Sequence, residues 1–344
     1  MADIGRQADA GYQGLNVLVT GADGFIGSHL TEQLVRGGAN VTALSLYNSF
    51  DSLGWLDDLP ASIREAVHAV RGDVRDAALM RRLAAQKDVV FHLAALIAIP
   101  YSYAASQSYV DTNVLGTLNV LEAARAAEVM RVVHTSTSEV YGTALVSPIT
   151  EDHRLQGQSP YSASKIGADM MAEAYARSFG LPVAILRPFN TFGPRQSERA
   201  VIATLLRQAL DPRITKIRVG DLSTVRDFTF VGDTVAAFLA IGTGPRVEFG
   251  SPYNAGSGLA VTIGEIAQLA LEVAGTGKPI EAEEARMRPD RSEVRELLAD
   301  ASRFTATTGW RPRIGLREGL VRTAEWWRGR LEEGRVRREL DYVT

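Results

Sequence analysis

The sequence predicts a doubly wound α/β fold, a parallel sheet with helices on both faces, and three observations carry that prediction. Short apolar runs near residues 16, 40, 67, 88, 132 and 183 alternate with amphipathic helical stretches, an order that specifies parallel strands joined by crossovers. The first run passes directly into Gly21-Ala22-Asp23-Gly24-Phe25-Ile26-Gly27 and then a helical pattern through Leu30, Leu34 and Val35. Val132 and Val133 lead into a cluster of hydroxyls and one carboxylate, Thr135-Ser136-Thr137-Ser138-Glu139. Such a cluster fits the carboxyl end of a buried strand opening into a polar crevice, where ligands of open α/β sheets bind.

Composition narrows the functional classes. At 344 residues the chain is long for one core, so a major domain with a smaller one grafted onto it is expected. The formal net charge of −3 argues against a general attraction for nucleic acid or anionic membrane. No apolar run approaches the ~18 residues of a membrane span, and the first residues lack a signal-peptide layout, so a cytoplasmic protein is expected. With no cysteine and five scattered histidines, neither disulfides nor a metal site is predicted.

Taken in order, residues up to about Gly14 read as an arm, and Asn16–Thr20 is the first strand. The three glycines after it allow a tight turn, close approach to a pyrophosphate and close helix packing, while the helix start offers free N–H groups to an anion. Dinucleotide binding is the reading. The second strand, residues 40–44, ends at Ser45-Leu46-Tyr47-Asn48, with neither an acid for an adenosine ribose nor an arginine for a 2′-phosphate; NAD is expected over NADP on the second ground. The third ends in Gly72-Asp73-Val74-Arg75-Asp76, where Asp73 suits an adenine amino group and Asp76 a helix cap. The fourth strand is read as 88–95, its Leu93, Ala94 and Ala95 letting the cofactor lie close, and His92 as a core residue.

A small-residue amphipathic helix follows from Thr112 to Ala124. Pro160 fits the first position of another, which places Tyr161 and Lys165 four apart on one face. An ammonium beside a phenol favours the phenolate, making Tyr161 a plausible base. A sixth strand, 183–187, runs into Pro188-Phe189-Asn190. Beyond it the alternation breaks down, residues 253–255 are expected to return to the sheet, and 263–274, 286–298 and 316–327 read as mainly helical. The predicted division is a first domain over 15–188, with returning segments near 228–255, and a substrate domain over 189–227 and 256–335.

These residues resemble the extended short-chain dehydrogenase/reductases that act on nucleotide sugars. The likeness runs through TGADGFIG (20–27), GDVRD (72–76), HLAA (92–95), TNVLGT (112–117), STSEVYG (136–142), YSASK (161–165), RPFNTFGPR (187–195) and RDFTFV (226–231). Thr137-Ser138-Glu139 looks like the 4,6-dehydratases, and YNSFDSLGWLD (47–57) like the subgroup making precursors of legionaminic-acid-type sugars. The resemblance implies a Rossmann-like domain with a smaller, mainly helical substrate domain, a tightly held NAD, a nucleoside-diphosphate hexose, and a homodimer through helices near 112–126 and 160–179. Gly21, Gly24, Phe25, Ile26, Gly27, Ser45, Asp73, Val74, Leu93, Ala94, Ala95, Tyr161 and Lys165 are then the cofactor residues.

Under that likeness Tyr161, helped by Lys165 and Thr137, takes the proton of the sugar 4-hydroxyl as hydride leaves C4; Glu139 removes the acidified C5 proton and the 6-hydroxyl leaves as water. The dTDP-glucose enzymes carry Asp where this chain has Ser138, which leaves the acid that protonates the leaving hydroxyl open, Glu139 being one candidate. Asn190, Arg226 and Arg288 are implied near the diphosphate, with Arg195 a further candidate; each arginine could equally serve an ion pair. The nearest rival is a UDP-glucuronate decarboxylase, whose branch also carries Thr-Ser-Glu and Tyr-x-x-x-Lys. A 4-epimerase ranks lower because it needs no base at C5, and a cofactor-sensing module without catalysis would not need these acid and base groups.

Overall fold

The computed structural model describes residues 10–287, 289 and 292–336. Its strands, in chain order, are β1 (Asn16–Thr20), β2 (Asn40–Leu46), β3 (His68–Gly72), β4 (Val89–His92), β5 (Arg131–Thr135), β6 (Val183–Pro188), β7 (Asn190–Phe192), β8 (Ile217–Val219), β9 (Val225–Phe230), β10 (Pro252–Ala255), β11 (Ala260–Thr262), β12 (Ile280–Ala282) and β13 (Glu296–Leu297). Seven of them form one parallel sheet in the order β10-β6-β5-β4-β1-β2-β3. The predicted doubly wound sheet is therefore present, and residues 252–255 return to it at the β6 edge.

Both faces of this sheet are buried, which is why its strands read as continuous apolar runs. Val17, Val19, Phe91, Val133 and Leu186 face one core cluster, while Leu18, Val90, Val132, Val183 and Ile185 face the other. Alternate residues of one strand point to opposite faces, so each run supplies both cores. Full burial of such a side chain stabilises by ~1.5–3 kcal/mol. Val74, Leu79, Val120 and Leu121 close the second core, and the first extends into the carboxyl-terminal half through Ile202, Phe230, Ile266, Leu320 and Trp327.

Smaller sheets lie beyond the main one. β9 pairs in parallel with β7 and β13 and antiparallel with β11, and β8 pairs with β12. The helices Val201–Leu210, Ile263–Ala274 and Leu316–Glu332 pack together beside them. Among the described residues of 286–298 the expected helix does not form: Glu284–Arg286 is a single 3-10 turn and Glu296–Leu297 is a strand. Pro289 interrupts the stretch, and its backbone finds partners in β9, where the Arg295 carbonyl accepts from Val225 N–H at 2.9 Å. The expected arm also ends earlier than Gly14. Tyr12 is 1% exposed and its hydroxyl donates to the Leu239 carbonyl at 2.8 Å, anchoring the chain ahead of β1.

Two helix starts follow their sequence signals. Asp76 caps Ala77–Ala84 by accepting from Leu79 N–H at 3.0 Å, a contact of the kind that stabilises by ~1 kcal/mol. Ser159 and Ser162 form a reciprocal capping box around Pro160, at the head of Pro160–Phe179. Among the described residues no helix is long and apolar enough to cross a membrane, and no cluster of metal-ligating side chains occurs.

Candidate active site

The carboxyl ends of β1, β2, β4 and β5 carry the polar groups singled out by the sequence. At β1, Gly21 adopts φ +68°, and a Cβ there would lie 2.7 Å from Ala94 N. A Cβ at Gly27 would lie 2.1 Å from the Gly21 carbonyl oxygen, so both positions require glycine. Gly24 is exposed and precedes the helix Phe25–Arg36 with no side-chain cap, leaving the first N–H groups of that helix for an anion. A cradle closed to any side chain, with donors facing outward, fits a dinucleotide pyrophosphate. Phe25 and Ile26 are half-buried on the first turn.

The other residues expected at a cofactor lie as follows. Ser45 is fully buried at the end of β2, beside the Asp23 carboxylate, which also accepts from Leu46 N–H at 3.3 Å; burial raises the Asp23 pKa. Asp73 is chelated by Arg75, with Nη2 2.6 Å from Oδ2, and that hydrogen bond holds its pKa down. Val74 is buried against Gly116. β4 ends at His92, so Leu93, Ala94 and Ala95 form a half-buried loop, not the strand end expected; Thr20 fixes it by accepting from Leu93 N–H at 3.2 Å and receiving Ala94 N–H on its hydroxyl at 3.2 Å. His92 is a core residue, bonded to Thr20 and Thr117.

The structure brings Thr137, Ser138, Glu139, Tyr161 and Lys165 into one neighbourhood. Ser138–Tyr141 is a 3-10 turn after β5, with Thr137 Oγ1 accepting from Glu139 N–H at 3.3 Å. Tyr161 is buried, its ring edge-on to Tyr109 at 6.2 Å and packed with Ile99; its hydroxyl bonds to Thr137, and the Glu139 carboxylate is near enough to act on its charge. Lys165 Nζ donates to the Thr135 carbonyl at 2.5 Å. The expected lowering of the phenol by lysine does not appear: burial pushes the Tyr161 pKa well up, offset only in part by the Thr137 bond. Desolvation of a phenolate among aromatic and aliphatic side chains dominates, the Lys165 ammonium being turned to the Thr135 carbonyl, and burial likewise brings Lys165 down to about 8.

Three further residues escaped the sequence reading. Asn113, 1% exposed, lies in a π-helical segment, Val110–Leu115, where the simple helix from Thr112 was expected; it grips both the N–H and the carbonyl of Leu96 and donates to Ser164 Oγ at 2.9 Å. That ties the β4 loop to the Tyr161 helix. Asp169 and Arg187 form a buried pair at 3.0 Å behind Lys165. A polar residue one helical turn past Lys165 was the available signal for Asp169.

The expected phosphate ligands are already engaged within the protein. Asn190 Nδ2 donates to the Asp227 carbonyl at 3.3 Å, Arg226 pairs with Glu293 at 2.9 Å, and Arg195, with φ +68°, pairs with Glu32 at 2.8 Å. Arg288 lies outside the described residues.

Comparison with known proteins places this geometry. A profile of the family described as GDP-mannose 4,6 dehydratase matches residues 18–323. A UDP-glucose 4-epimerase of Mycolicibacterium smegmatis is 36% identical, covering 92% of this chain and 99% of its own. A dTDP-glucose 4,6-dehydratase of an Actinoplanes species is 34% identical over 91% of this chain and 98% of its own. The crystal structure of DesIV, a dTDP-glucose 4,6-dehydratase from Streptomyces venezuelae with NAD and TYD bound, superposes with a TM-score of 0.81 at 32% identity, covering 93% of this chain and 98% of that one.

Proposed function

The chain belongs to the GDP-mannose 4,6-dehydratase family, among the extended short-chain dehydrogenase/reductases, and from that premise we propose that it is a nucleotide-sugar 4,6-dehydratase. Its substrate is a nucleoside-diphosphate hexose and its product the 4-keto-6-deoxy sugar. The observation that carries this reading is Glu139: a carboxylate stands on the turn facing Tyr161, where a reaction confined to C4 would need none. The DesIV structure holds NAD, and here the glycine loop would hold it, where it would supply the hydride acceptor and donor.

The chain's own residues do the rest. Tyr161 takes the 4-hydroxyl proton as its phenolate, the form that burial disfavours and that Thr137, the Lys165 ammonium one helical turn along and the positive charge of a bound oxidised nicotinamide would favour. The resulting 4-ketone acidifies C5–H, Glu139 removes that proton, and the 6-hydroxyl leaves as water. Ser138, 2% exposed, stands where an acid would protonate the leaving group, so Glu139 is the group that returns the proton. Arg226 and Arg195 share their guanidinium donors between their present carboxylates and the diphosphate, and Asn190 serves the same group. Segments 189–227 and 256–335 form the substrate domain, against a cofactor domain of 15–188 with returning strands. The homodimer uses the helices near 112–126 and 160–179, on which Leu115 and Met170 are exposed. The protein works in the cytoplasm.

The sugar is an N-acetylglucosamine, on the resemblance of residues 47–57. Offering UDP-GlcNAc, GDP-GlcNAc, dTDP-glucose, CDP-glucose, GDP-mannose and UDP-glucuronate separately and following product mass tests the reading. Water loss from a hexose nucleotide supports it, and CO2 loss from UDP-glucuronate alone replaces it with the decarboxylase. An isomer of unchanged mass establishes the second reading, a 4-epimerase, which the M. smegmatis relative favours.

A further inference from the structure

We infer that Asp169 is a positioning residue, whose buried carboxylate keeps the Lys165 ammonium charged beside Tyr161 and, through Arg187, steadies the turn that bears Glu139. The inference rests on the roles proposed above for Tyr161, Lys165 and Glu139. Tyr161, Lys165 and Asp169 follow one another at four-residue spacing on one face of Pro160–Phe179. Lys165 is 4% exposed, and the Thr135 carbonyl that receives its proton offers a dipole but no charge. An ammonium taken out of water without a counter-charge gives up its proton.

The groups around the pair identify the counter-charge. From the same helix come Tyr161 and Asp169, from β5 His134, from β4 His92, from β6 Arg187, and from the turn after β5 Glu139, which acts on Tyr161. Burial holds His92 and His134 below their ordinary range, and Arg187 is a cation. Asp169, fully buried one helical turn beyond Lys165 on the same face, is the carboxylate whose charge reaches it, through space and not by an ion-pair contact, its oxygens being held by His134, Ser136 and Arg187. Burial alone would raise its own pKa, but the hydrogen bond with His134 Nε2 at 3.2 Å and the charges of Arg187, at 3.0 and 3.1 Å, and of Lys165 bring it to about 2, and Ser136 Oγ donates to it at 2.7 Å. The second arm runs outward: Arg187 Nη1 donates to the Tyr141 hydroxyl at 2.9 Å, which donates to Asn254 Oδ1 at 2.7 Å. Tyr141 closes the turn whose second residue is Glu139. One carboxylate thus supports the redox pair and the backbone of the second base.

A buried ion pair is by itself weak support for a special role, so the test must separate charge from packing. Chemical denaturation against pH, on the wild type and Lys165→Met, isolates the Lys165 titration as the difference between the two curves. Burial lowers this lysine from 10.5 to about 8, so the native state sheds the proton first and its stability rises with pH between those values. In an Asp169→Asn background the same difference curve should move down by about one pH unit, a tenfold loss of proton affinity. In an Arg187→Gln background it should move up, since a competing cation is gone. A carboxylate that serves packing alone lowers stability at every pH and leaves the difference curve where it was, and that result overturns the inference. If Asp169→Asn does not fold, Arg187→Gln decides alone: a curve that stays or moves down overturns it. The alkaline limb for reduction of the bound nicotinamide by substrate should shift the same way in each variant. Dehydratase, decarboxylase and epimerase all begin by oxidising C4, so absent water loss would refute the proposed reaction and leave this inference standing, whereas unmoved curves would do the reverse.

Discussion

Replacing Gly27 and Gly24 in turn by alanine should separate two functions of the glycine loop. At Gly27 the new Cβ falls 2.1 Å from the Gly21 oxygen, 2.9 Å from its carbonyl carbon and 3.0 Å from Ala22 Cα, all backbone atoms of the loop itself. No side chain can rotate away, so the loop must retreat by about an ångström. Overpacking of this kind costs ~1–3 kcal/mol. At Gly24 the Cβ meets only the Gly21 oxygen at 3.3 Å, with φ −80°, a conformation open to any residue. Gly24→Ala should therefore leave the stability of the cofactor-free protein within about 0.5 kcal/mol of wild type. It should still weaken the dinucleotide, because the methyl group stands where the pyrophosphate approaches the helix start. Loss of one hydrogen bond to a charged group is worth ~1.5–3 kcal/mol, or roughly tenfold to over a hundredfold in Kd. Urea denaturation and calorimetric titration with NAD measure the two quantities. If Gly24→Ala binds NAD as wild type does, the loop is not the phosphate cradle; if Gly27→Ala is as stable as wild type, the packing argument fails.

Three further outcomes are expected. Tyr161→Phe should abolish turnover while NAD binding stays near wild type, as the substitution leaves the glycine loop untouched; near-normal turnover would remove Tyr161 from the chemistry. Glu139→Gln should trap the nicotinamide reduced and release almost no dehydrated product, seen as a persistent absorbance of reduced cofactor in the presence of substrate, and normal product release would assign the C5 proton elsewhere. Acid should destabilise the protein below about pH 6.5, before its carboxylates titrate, because the histidines His29, His92 and His134 are buried with lowered pKa values, His29 at about 3. The unfolded chain takes up those protons first, so stability is lost as pH falls from 6.5. His29→Gln should flatten that slope, and an unchanged slope would show that His29 is charged in the native state.

How much could be read without the fold differs from residue to residue. The strands, the glycine loop, the Asp76 cap and the Pro160 helix start follow from the sequence because their signals are local: a period of two, a run of apolar residues buried on both faces, or a cap two or three positions from its donor. Tyr161 and Lys165 share a helical face for the same reason. Tertiary structure alone decided who faces them. Asp169 meets His134 across 35 residues of chain, Arg226 meets Glu293 across 67, and Tyr141 meets Asn254 across 113. It also overrode the local pattern at 286–298, where β9 supplies hydrogen-bond partners that a helix would have had to supply itself. The protonation of the Tyr161 phenol was decided there too. Sequence supplies the cation beside it, but desolvation depends on how completely Ile99, Tyr109 and the sheet exclude water, and that is set by packing between segments remote along the chain.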